Sequence, residues 1–492
     1  MQVPAYRKLV AEARQQQQEQ EQAEQPPGGS AGSDAAAEGG ECRASTPGAS
    51  SQSEEDAAPC PAWDQVPFWT KEQYIQRYPL PERCTGGSLA AADFVHESSG
   101  SSGQPTLWAR NCFDELAVCD RFEQLLWDNW QAHKRSTLAV VCLPLGCWVG
   151  GLFTSLCLRF LTLKGYKLTL VTPGNKVPEI LQLVPALAPH YEQTVLFGYP
   201  PFIKGLVDAG IASGLPWADW NVKLVLAGEV FSEEWRSLMA QRLGVHDVLR
   251  DIVSLYGTAD AGVIGNETPL SVAIRRWLAA HPEAAAGLFG AQRLPTLVQY
   301  DPFSRLLEKH PDDGTLVVSS IATPHTAAPL LRHCIGDAGG ILSYSDMLGF
   351  LKQHGFEPPP GLPCRALPFA FVFGRSFWTV SVFGCNVYVE NIMSGLEQPE
   401  LADSTTGKFV LFVEESADLD RQLALRVELA RGVQPSSQLE QQVAAVVLRE
   451  LRRLNSAYGC YVPENKQAPI VRLHPYGDPD WFPLGVKHRW TA

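Results

Sequence analysis

The sequence lacks several patterns that would each have indicated a well-defined class of protein. None of its 12 cysteines has C-x-x-C spacing, which argues against a structural zinc site, and a chain of 492 residues does not need a disulfide framework. The G-x-x-x-x-G-K-[ST] phosphate loop of nucleotide hydrolases is also absent. Acidic residues outnumber basic ones, giving a formal charge of −13, so we expect no nucleic-acid partner.

One uncharged segment, residues 138–158, is long enough to cross a bilayer. Pro144, Gly146, Gly150 and Gly151 interrupt its middle, and no second such segment follows. We therefore predict a buried strand, a glycine turn and the start of a buried helix, and no membrane span. The N-terminus has no apolar signal core, and free cysteines in apolar surroundings suit a reducing compartment, so the predicted location is cytoplasmic.

The first 60 residues differ in composition from the remainder of the chain. They are rich in Gln, Glu, Gly, Ser, Ala and Pro, and carry four basic against ten acidic residues. Such a composition cannot bury enough apolar surface to order itself. We expect residues 1–60 to form a disordered low-complexity tail, with ordered structure beginning near Trp63.

Between about 136 and 260, short apolar segments alternate with helical patterns. This alternation predicts an α/β fold whose mostly parallel sheets are covered by helices. A change in pattern near residue 373 predicts a large N-terminal domain over 61–373 and a small, mobile α+β C-terminal domain over 374–492. The clearest helix of the small domain begins at the predicted capping box Ser437–Glu440.

A glycine- and hydroxyl-rich segment at residues 98–106 is suited to binding a polyphosphate. Glycines let the backbone approach closely, while N–H groups and hydroxyls can donate to phosphate oxygens. Taken alone, however, such a segment is more typical of a flexible linker. The candidate phosphate-binding residues are Ser98, Ser99, Gly100, Ser101, Ser102 and Gly103.

Several motifs follow this segment along the chain, and their order indicates a function for it. They are Trp148-Val-Gly150-Gly151, Gly228-Glu229, Tyr256-Gly257-Thr258-Ala-Asp260, His333-Cys-Ile-Gly-Asp337, Gly374-Arg375 and Lys487. The set resembles the adenylate-forming superfamily and, within it, the phenylacetate–coenzyme A ligase family. The family loop Ser-Ser-Gly-Thr-Thr-Gly-Lys-Pro-Thr differs from residues 98–106 at three positions. The resemblance extends over about 61 to 492.

The resemblance implies an enzyme that activates a carboxylic acid with ATP and Mg²⁺ and transfers the acyl group to coenzyme A. By analogy with the family, Gly228 and Glu229 border the adenine, Tyr256 packs against it, and Gly257 and Thr258 belong to the same nucleotide site. Asp337 would accept from the ribose hydroxyls, Arg375 would meet ribose or phosphate oxygens, and Lys487 would contact the carboxylate and α-phosphate, with Lys466 as a weaker alternative. Asp260 stands where the family has a magnesium-binding glutamate. Trp148, Gly150, Gly151 and Tyr199 are candidates for the substrate pocket.

Three departures from the family leave alternatives open. Gln104 replaces the loop lysine, Asp260 is one methylene shorter than the usual glutamate, and no acidic residue follows Arg375, where Ser376, Phe377 and Trp378 stand. The chain could therefore be a nucleotide-binding relative without turnover, or an adenylating enzyme that passes the acyl group to an amine or a carrier protein. We expect a small-molecule acid as substrate and a monomer or homodimer.

Overall fold

The computed structural model describes residues 3–24, 62–98, 106–291, 294–320, 326–375, 379–483 and 490–491. An eleven-stranded sheet forms its centre, in the order β10-β11-β12-β13-β9-β8-β7-β6-β5-β3-β4. Its strands are β3 (Thr137–Val141), β4 (Leu168–Val171), β5 (Gln193–Gly198), β6 (Val222–Ala227), β7 (Ile252–Thr258), β8 (Gly262–Asn266), β9 (Thr296–Tyr300), β10 (Arg305–Lys309), β11 (Thr315–Ser320), β12 (His333–Leu342) and β13 (Phe369–Arg375). The hairpin β1 (Phe94–Ser98) and β2 (Thr106–Arg110) stands apart from it.

The strand–helix alternation predicted from the sequence corresponds to one half of this sheet. Strands β4, β3, β5, β6 and β7 are parallel, and β8 to β13 continue the sheet with antiparallel pairs. The helices are α1 (Pro4–Glu24), α2 (Cys112–Trp130), α3 (Val149–Leu163), α4 (Val177–Leu187), α5 (Pro200–Ala212), α6 (Glu233–Leu243), α7 (Val248–Asp251), α8 (Pro269–Ala279), α9 (Pro282–Phe289), α10 (Tyr344–Gln353), α11 (Val389–Leu396), α12 (Ser437–Leu454) and α13 (Ser456–Tyr461). The predicted α/β class is confirmed.

The uncharged segment 138–158 divides as predicted into strand β3, a turn and the first part of helix α3. Every residue of β3 is buried, because the strand lies between β4 and β5 inside the sheet. Within the described part of the chain, no helix is long and apolar enough to span a bilayer.

Residues 379–491, which we call the C-terminal unit, form the predicted small α+β structure. A hairpin of β14 (Thr379–Val382) and β15 (Cys385–Tyr388) leads to a three-stranded sheet of β16 (Thr405–Glu415), β17 (Arg421–Leu429) and β18 (Ile470–His474). The cap of α12 differs from the prediction: Ser436, one residue before Ser437, accepts the hydrogen bond from the Leu439 amide. The helix ends at Leu454, because Asn455 caps the next helix, α13.

Helix α1 corrects the expectation that the first 60 residues form a disordered tail from their beginning. Tyr6 is fully buried, stacks on Tyr74 at 4.4 Å between ring centroids, and accepts a hydrogen bond from the Leu331 amide at 2.8 Å. Lys8 and Glu12 pair with Glu82 and Arg77 at the edges of this contact. The low-complexity part that follows, residues 25–61, lies outside the described residues.

Candidate functional site

A cavity of about 1070 Å³ lies beyond the carboxyl ends of β5, β6 and β7. In an α/β sheet, this edge is where ligands usually bind, because loops from neighbouring parallel strands converge there. Many of the predicted site residues line the cavity together: Ser98, Trp148, Gly150, Tyr199, Gly228, Glu229, Tyr256, Gly257, Thr258, Asp260 and Asp337. Segments far apart in sequence thus surround one volume.

Tyr256 and Asp337 are directly connected across the cavity wall. The Tyr256 hydroxyl donates to Asp337 Oδ2 at 2.8 Å, and both residues are buried. Tyr256 lies in β7, while Asp337 lies in β12 and pairs with Arg375 of β13 in the strand register. Only the backbone position of Arg375 can be reported, since its side chain lies outside the described residues.

Asp260 follows β7 and is held from two sides. Its Oδ2 lies 2.9 Å from His333 Nε2, and His333 is fully buried. An ionised carboxylate can only accept, so Nε2 carries the hydrogen in this pair. Arg110 donates to the carbonyl oxygens of Ala259 and Asp260, at 3.0 and 2.5 Å. The loop that carries Asp260 is therefore fixed both through its backbone and through its side chain.

The protein does not by itself provide a complete magnesium site around Asp260. Among the described residues, no group of three or more His, Cys, Asp and Glu side chains is placed to hold a metal ion. The oxygen Oδ2 of Asp260 is already bonded to His333. Magnesium here would need oxygen ligands from a bound substrate, since it usually keeps few protein ligands beside phosphates and water.

Gly228 and Glu229 follow β6, where the backbone turns sharply beside an aromatic ring. Gly228 has φ of +82°, and a Cβ there would lie 2.8 Å from the ring of Tyr199. A side chain at this position would therefore displace the ring. Gly384 of the C-terminal unit lies on the same ring, with φ of +76° and only 2.2 Å available for a Cβ.

Glu229 connects the large sheet to the C-terminal unit. Its Oε1 accepts from the Gly384 amide at 2.7 Å, and its Oε2 lies 2.7 Å from Arg421 Nη1. Burial raises the pKa of the Glu229 carboxyl, while the Arg421 guanidinium and the Gly384 amide oppose that change. The carboxylate predicted to border the adenine thus also bonds two residues of the C-terminal unit.

Buried charged residues beneath the cavity hold β7 and its neighbouring helices together. Arg236 donates to Glu267 at 2.8 Å and to Glu233 at 2.9 Å, and Glu267 accepts from the Ser254 amide at 2.7 Å. Arg275 adds further contacts to Glu233 and to the Phe231 carbonyl. Because each of these charges has a partner, the wall beneath the cavity can remain buried without uncompensated charge.

The remaining predicted residues are placed as follows. Ser98 ends β1 and its hydroxyl accepts from Trp108 Nε1 at 2.9 Å. Gly151 is packed in helix α3 against the Pro144 carbonyl, where a Cβ would have only 2.2 Å. Lys466 lies 3.8 Å from Asp420. The predictions at Ser99, Gly100, Ser101, Ser102, Gly103, Gln104 and Lys487 lie outside the described residues, as do Ser376, Phe377 and Trp378.

Three contributors to the cavity region received no role from the sequence: His333, Arg421 and Tyr461. His333 could have been inferred, because it lies four residues before Asp337 on one strand and alternate strand residues face the same side. Arg421 and Tyr461 line the cavity from the C-terminal unit. No local pattern indicates either of them, since their position depends on how that unit packs.

Comparison with known proteins gives a structural likeness only. No protein-family model matches the sequence, and a search of curated proteins found no match. The fold is similar to 2-hydroxyisobutyryl-CoA ligase in complex with 2-HIB-AMP and CoA in the thioesterification state. The TM-score is 0.57 at 15% identity, over 87% of this chain and 80% of that chain.

A second similar structure is the amide bond synthetase McbA from Marinactinospora thermotolerans, with a TM-score of 0.49 at 16% identity. That match covers 90% of this chain and 75% of the synthetase. The first match is the one that supports a conclusion about architecture. The large α/β sheet with its small α+β unit is the fold that this chain shares with 2-hydroxyisobutyryl-CoA ligase.

Proposed function

We propose that this chain, which has the architecture of AMP-forming ligases, activates a carboxylic acid with ATP and transfers the acyl group to coenzyme A. The observation that carries the proposal is the single cavity surrounded by Ser98, Gly228, Tyr256 and Asp337. The sequence resemblance predicts a nucleotide role for each of these residues, and they come from four segments that lie far apart in the chain.

The nucleoside end of ATP would lie against Tyr256 and Asp337. The Tyr256–Asp337 hydrogen bond holds the carboxylate at the cavity wall, where it would accept from vicinal ribose hydroxyls. The positive φ of Gly228 lets the chain turn at the cavity without a side chain, and the ring of Tyr199 packs closely against this turn. Glycine and serine residues 98–103 would receive the leaving phosphates.

The chemistry proposed for the cavity has two steps. A carboxylate oxygen of the acid attacks the α-phosphorus of ATP, the bond to the β-phosphate oxygen breaks, and pyrophosphate leaves. The thiolate of coenzyme A then attacks the acyl carbon, and AMP leaves with the electron pair of the broken bond. Both steps depend on in-line positioning and on cations near the developing charge, the role we assign to Lys487 and Arg375.

Magnesium would reduce the negative charge of the phosphates when bound, and Asp260 is the side chain positioned to help to hold it. The coenzyme A acceptor rests on the sequence resemblance to the phenylacetate–coenzyme A ligase family.

An isotope-exchange experiment tests the activation step. The purified chain is incubated with ATP, Mg²⁺, labelled pyrophosphate and each of a panel of aromatic and short-chain acids. We expect acid-dependent return of label into ATP. No exchange with any acid at high enzyme concentration would contradict activation, and release of AMP that does not depend on coenzyme A would contradict the assigned acceptor.

Two observations favour a second candidate function, nucleotide binding without turnover. The Asp260 carboxylate is engaged by a buried histidine, and Gln104 removes a positive charge from the predicted phosphate loop. Titration calorimetry with ATP and AMP separates the two candidates. Binding without exchange would support the second, whereas binding together with exchange would support the first.

A further inference from the structure

The aromatic end of the cavity is built by both parts of the chain. Trp148 precedes helix α3 and Tyr199 precedes helix α5, whereas Tyr461 is the last residue of α13 in the C-terminal unit. The Tyr461 ring lies 4.9 Å from the Trp148 ring at 73° and 5.4 Å from the Tyr199 ring at 25°. All three residues are buried and all three line the cavity. We call Trp148, Tyr199 and Tyr461 the aromatic wall.

We propose that Tyr461 determines which acids the cavity accepts, by limiting the space at the aromatic wall to a small acyl group that is apolar and flat. This inference rests on the proposed function, because it concerns the acid of the same reaction. It adds that a residue of the C-terminal unit, and not only residues of the large sheet, selects the substrate.

The chemistry of the wall favours an uncharged acyl group. Burial raises the pKa of the Tyr199 and Tyr461 hydroxyls, so both side chains are neutral in ordinary buffers. Gly150 lies beside this wall, where a Cβ would be 3.7 Å from the Tyr199 hydroxyl. Three rings in edge and stacked contact offer flat apolar surface, which suits an aromatic or short branched group better than a second carboxylate.

Tyr461 is held firmly enough to act as a size limit. The side-chain amide of Gln467 donates to the Val462 carbonyl at 2.8 Å and to the Gly459 carbonyl at 3.2 Å, which fixes the end of α13. Tyr458 donates to the Gln467 carbonyl at 2.7 Å, and Asn455 caps the helix. These bonds hold the backbone at the end of α13, and the Trp148 and Tyr199 rings pack against the Tyr461 ring.

The ring of Tyr199, which stacks on Tyr461, is also held in place by its neighbours. Gly228 and Gly384 approach its ring so closely that neither position has room for a Cβ. Farther from the cavity, the buried Lys204 of α5 binds Asp420 at 2.8 Å and Asp418 at 3.1 Å on the turn between β16 and β17. These ion pairs join helix α5, which follows Tyr199, to the C-terminal unit that carries Tyr461.

The test measures pyrophosphate exchange against acids of increasing size: acetate, butyrate, benzoate, phenylacetate and 2-naphthoate. The variants are Tyr461→Ala, Tyr461→Leu and Tyr461→Phe. Tyr476→Ala is the matched control, because Tyr476 belongs to the same unit, is 45% exposed and does not line the cavity. Circular dichroism establishes that each variant is folded, and the leucine variant serves if the alanine variant is not.

We expect Tyr461→Ala to raise kcat/KM for 2-naphthoate relative to benzoate by about 10- to 100-fold, the range that a changed apolar pocket usually gives. The leucine variant should give a smaller change in the same direction, and the phenylalanine and Tyr476 variants should keep the original profile. The same profile in all folded variants would overturn the proposal.

Calorimetry in the absence of ATP measures the affinity of each variant for the acids. This measurement distinguishes failure of this inference from failure of the proposed function. If no acid supports exchange but Tyr461→Ala improves binding of 2-naphthoate, the size limit holds and acid activation fails. If exchange occurs and the profile does not depend on Tyr461, activation holds and this inference fails. If no acid binds to any variant, both fail.

Discussion

The hydroxyl of Tyr256 donates to Asp337 Oδ2 at 2.8 Å, although the two residues lie 81 positions apart. The bond brings the end of β7 and the middle of β12 to one wall of the cavity. If Tyr256 and Asp337 bind the nucleoside, then the hydrogen bond between them should affect the affinity for nucleotide more than the free energy of unfolding.

Replacing Tyr256 with phenylalanine tests this expectation. The variant keeps the ring and removes the donor to a carboxylate, a bond of the kind that contributes about 1.5–3 kcal/mol. We therefore expect AMP to bind roughly 10- to 100-fold more weakly by calorimetry. Tyr300→Phe is a suitable control, since Tyr300 is also buried but does not line the cavity. Equal AMP affinity in the two variants would contradict the assignment.

His333 should matter for stability, because it donates to a buried carboxylate. His333→Ala removes the donor 2.9 Å from Asp260 Oδ2 and opens a space in the protein interior. We expect the free energy of unfolding to fall by about 1–3 kcal/mol in urea denaturation. His246→Ala, at an exposed position, should change it by less than about 0.5 kcal/mol. A stable His333→Ala variant would show that the pair is not required for folding.

Arg421→Met should make stability depend more steeply on pH. Burial raises the pKa of Glu229 and Arg421 lowers it, so the variant has a Glu229 pKa raised further above its ordinary value. A raised folded pKa means that the folded state keeps a proton that the unfolded state has released. Stability is then lost as the pH rises from the ordinary value through the raised one.

The difference between the Arg421→Met variant and the parent should therefore be small near pH 4 and should grow toward pH 7. There we expect about 2–3 kcal/mol, below the range for removing one partner of a fully buried pair. Arg472→Met breaks an exposed pair with Glu414 in the same sheet and should show no such trend. A constant difference across this pH range would contradict the role of Arg421.

Gly384→Ala should disturb the aromatic wall as well as the backbone. Its Cβ would lie 2.2 Å from the Tyr199 ring, at φ of +76°. Gly361→Ala is the matched control, with φ of +75° and nothing within 4 Å of the Cβ. In both variants the left-handed conformation should lower the free energy of unfolding by about 1–2 kcal/mol. Only in Gly384→Ala should crowding lower it by a further amount of about 1–3 kcal/mol. Equal losses in thermal unfolding would contradict the contact.

The sequence allowed the central sheet and much of the cavity to be predicted for a physical reason. Strands β5 and β11 are largely apolar segments between turns, the pattern that marks strands buried on both faces. Tyr256, near the end of β7, and Asp337, in the middle of the antiparallel strand β12, each belong to a short local motif that can be recognised in the sequence. The sheet then brings the two motifs to one wall of the cavity.

Other features could not be predicted because they depend on contacts between distant segments. Helix α1 was obscured by the average composition of the first 60 residues, although Tyr6 and Leu9 form a short apolar face that packs on Tyr74. Arg421 and Tyr461 reach the cavity only through packing of the C-terminal unit. The antiparallel half of the sheet lacks the strand–helix alternation from which the parallel half was inferred.

The most direct test of the central claim is acid-dependent exchange of labelled pyrophosphate into ATP, compared between the parent chain and Asp337→Ala. We expect exchange with at least one apolar monocarboxylic acid in the parent. In the variant at limiting ATP we expect exchange to be at least about 100-fold slower, since removing a buried carboxylate that accepts from the substrate costs several kcal/mol of binding. No exchange in the parent, or equal exchange in the two proteins, would contradict the proposed function.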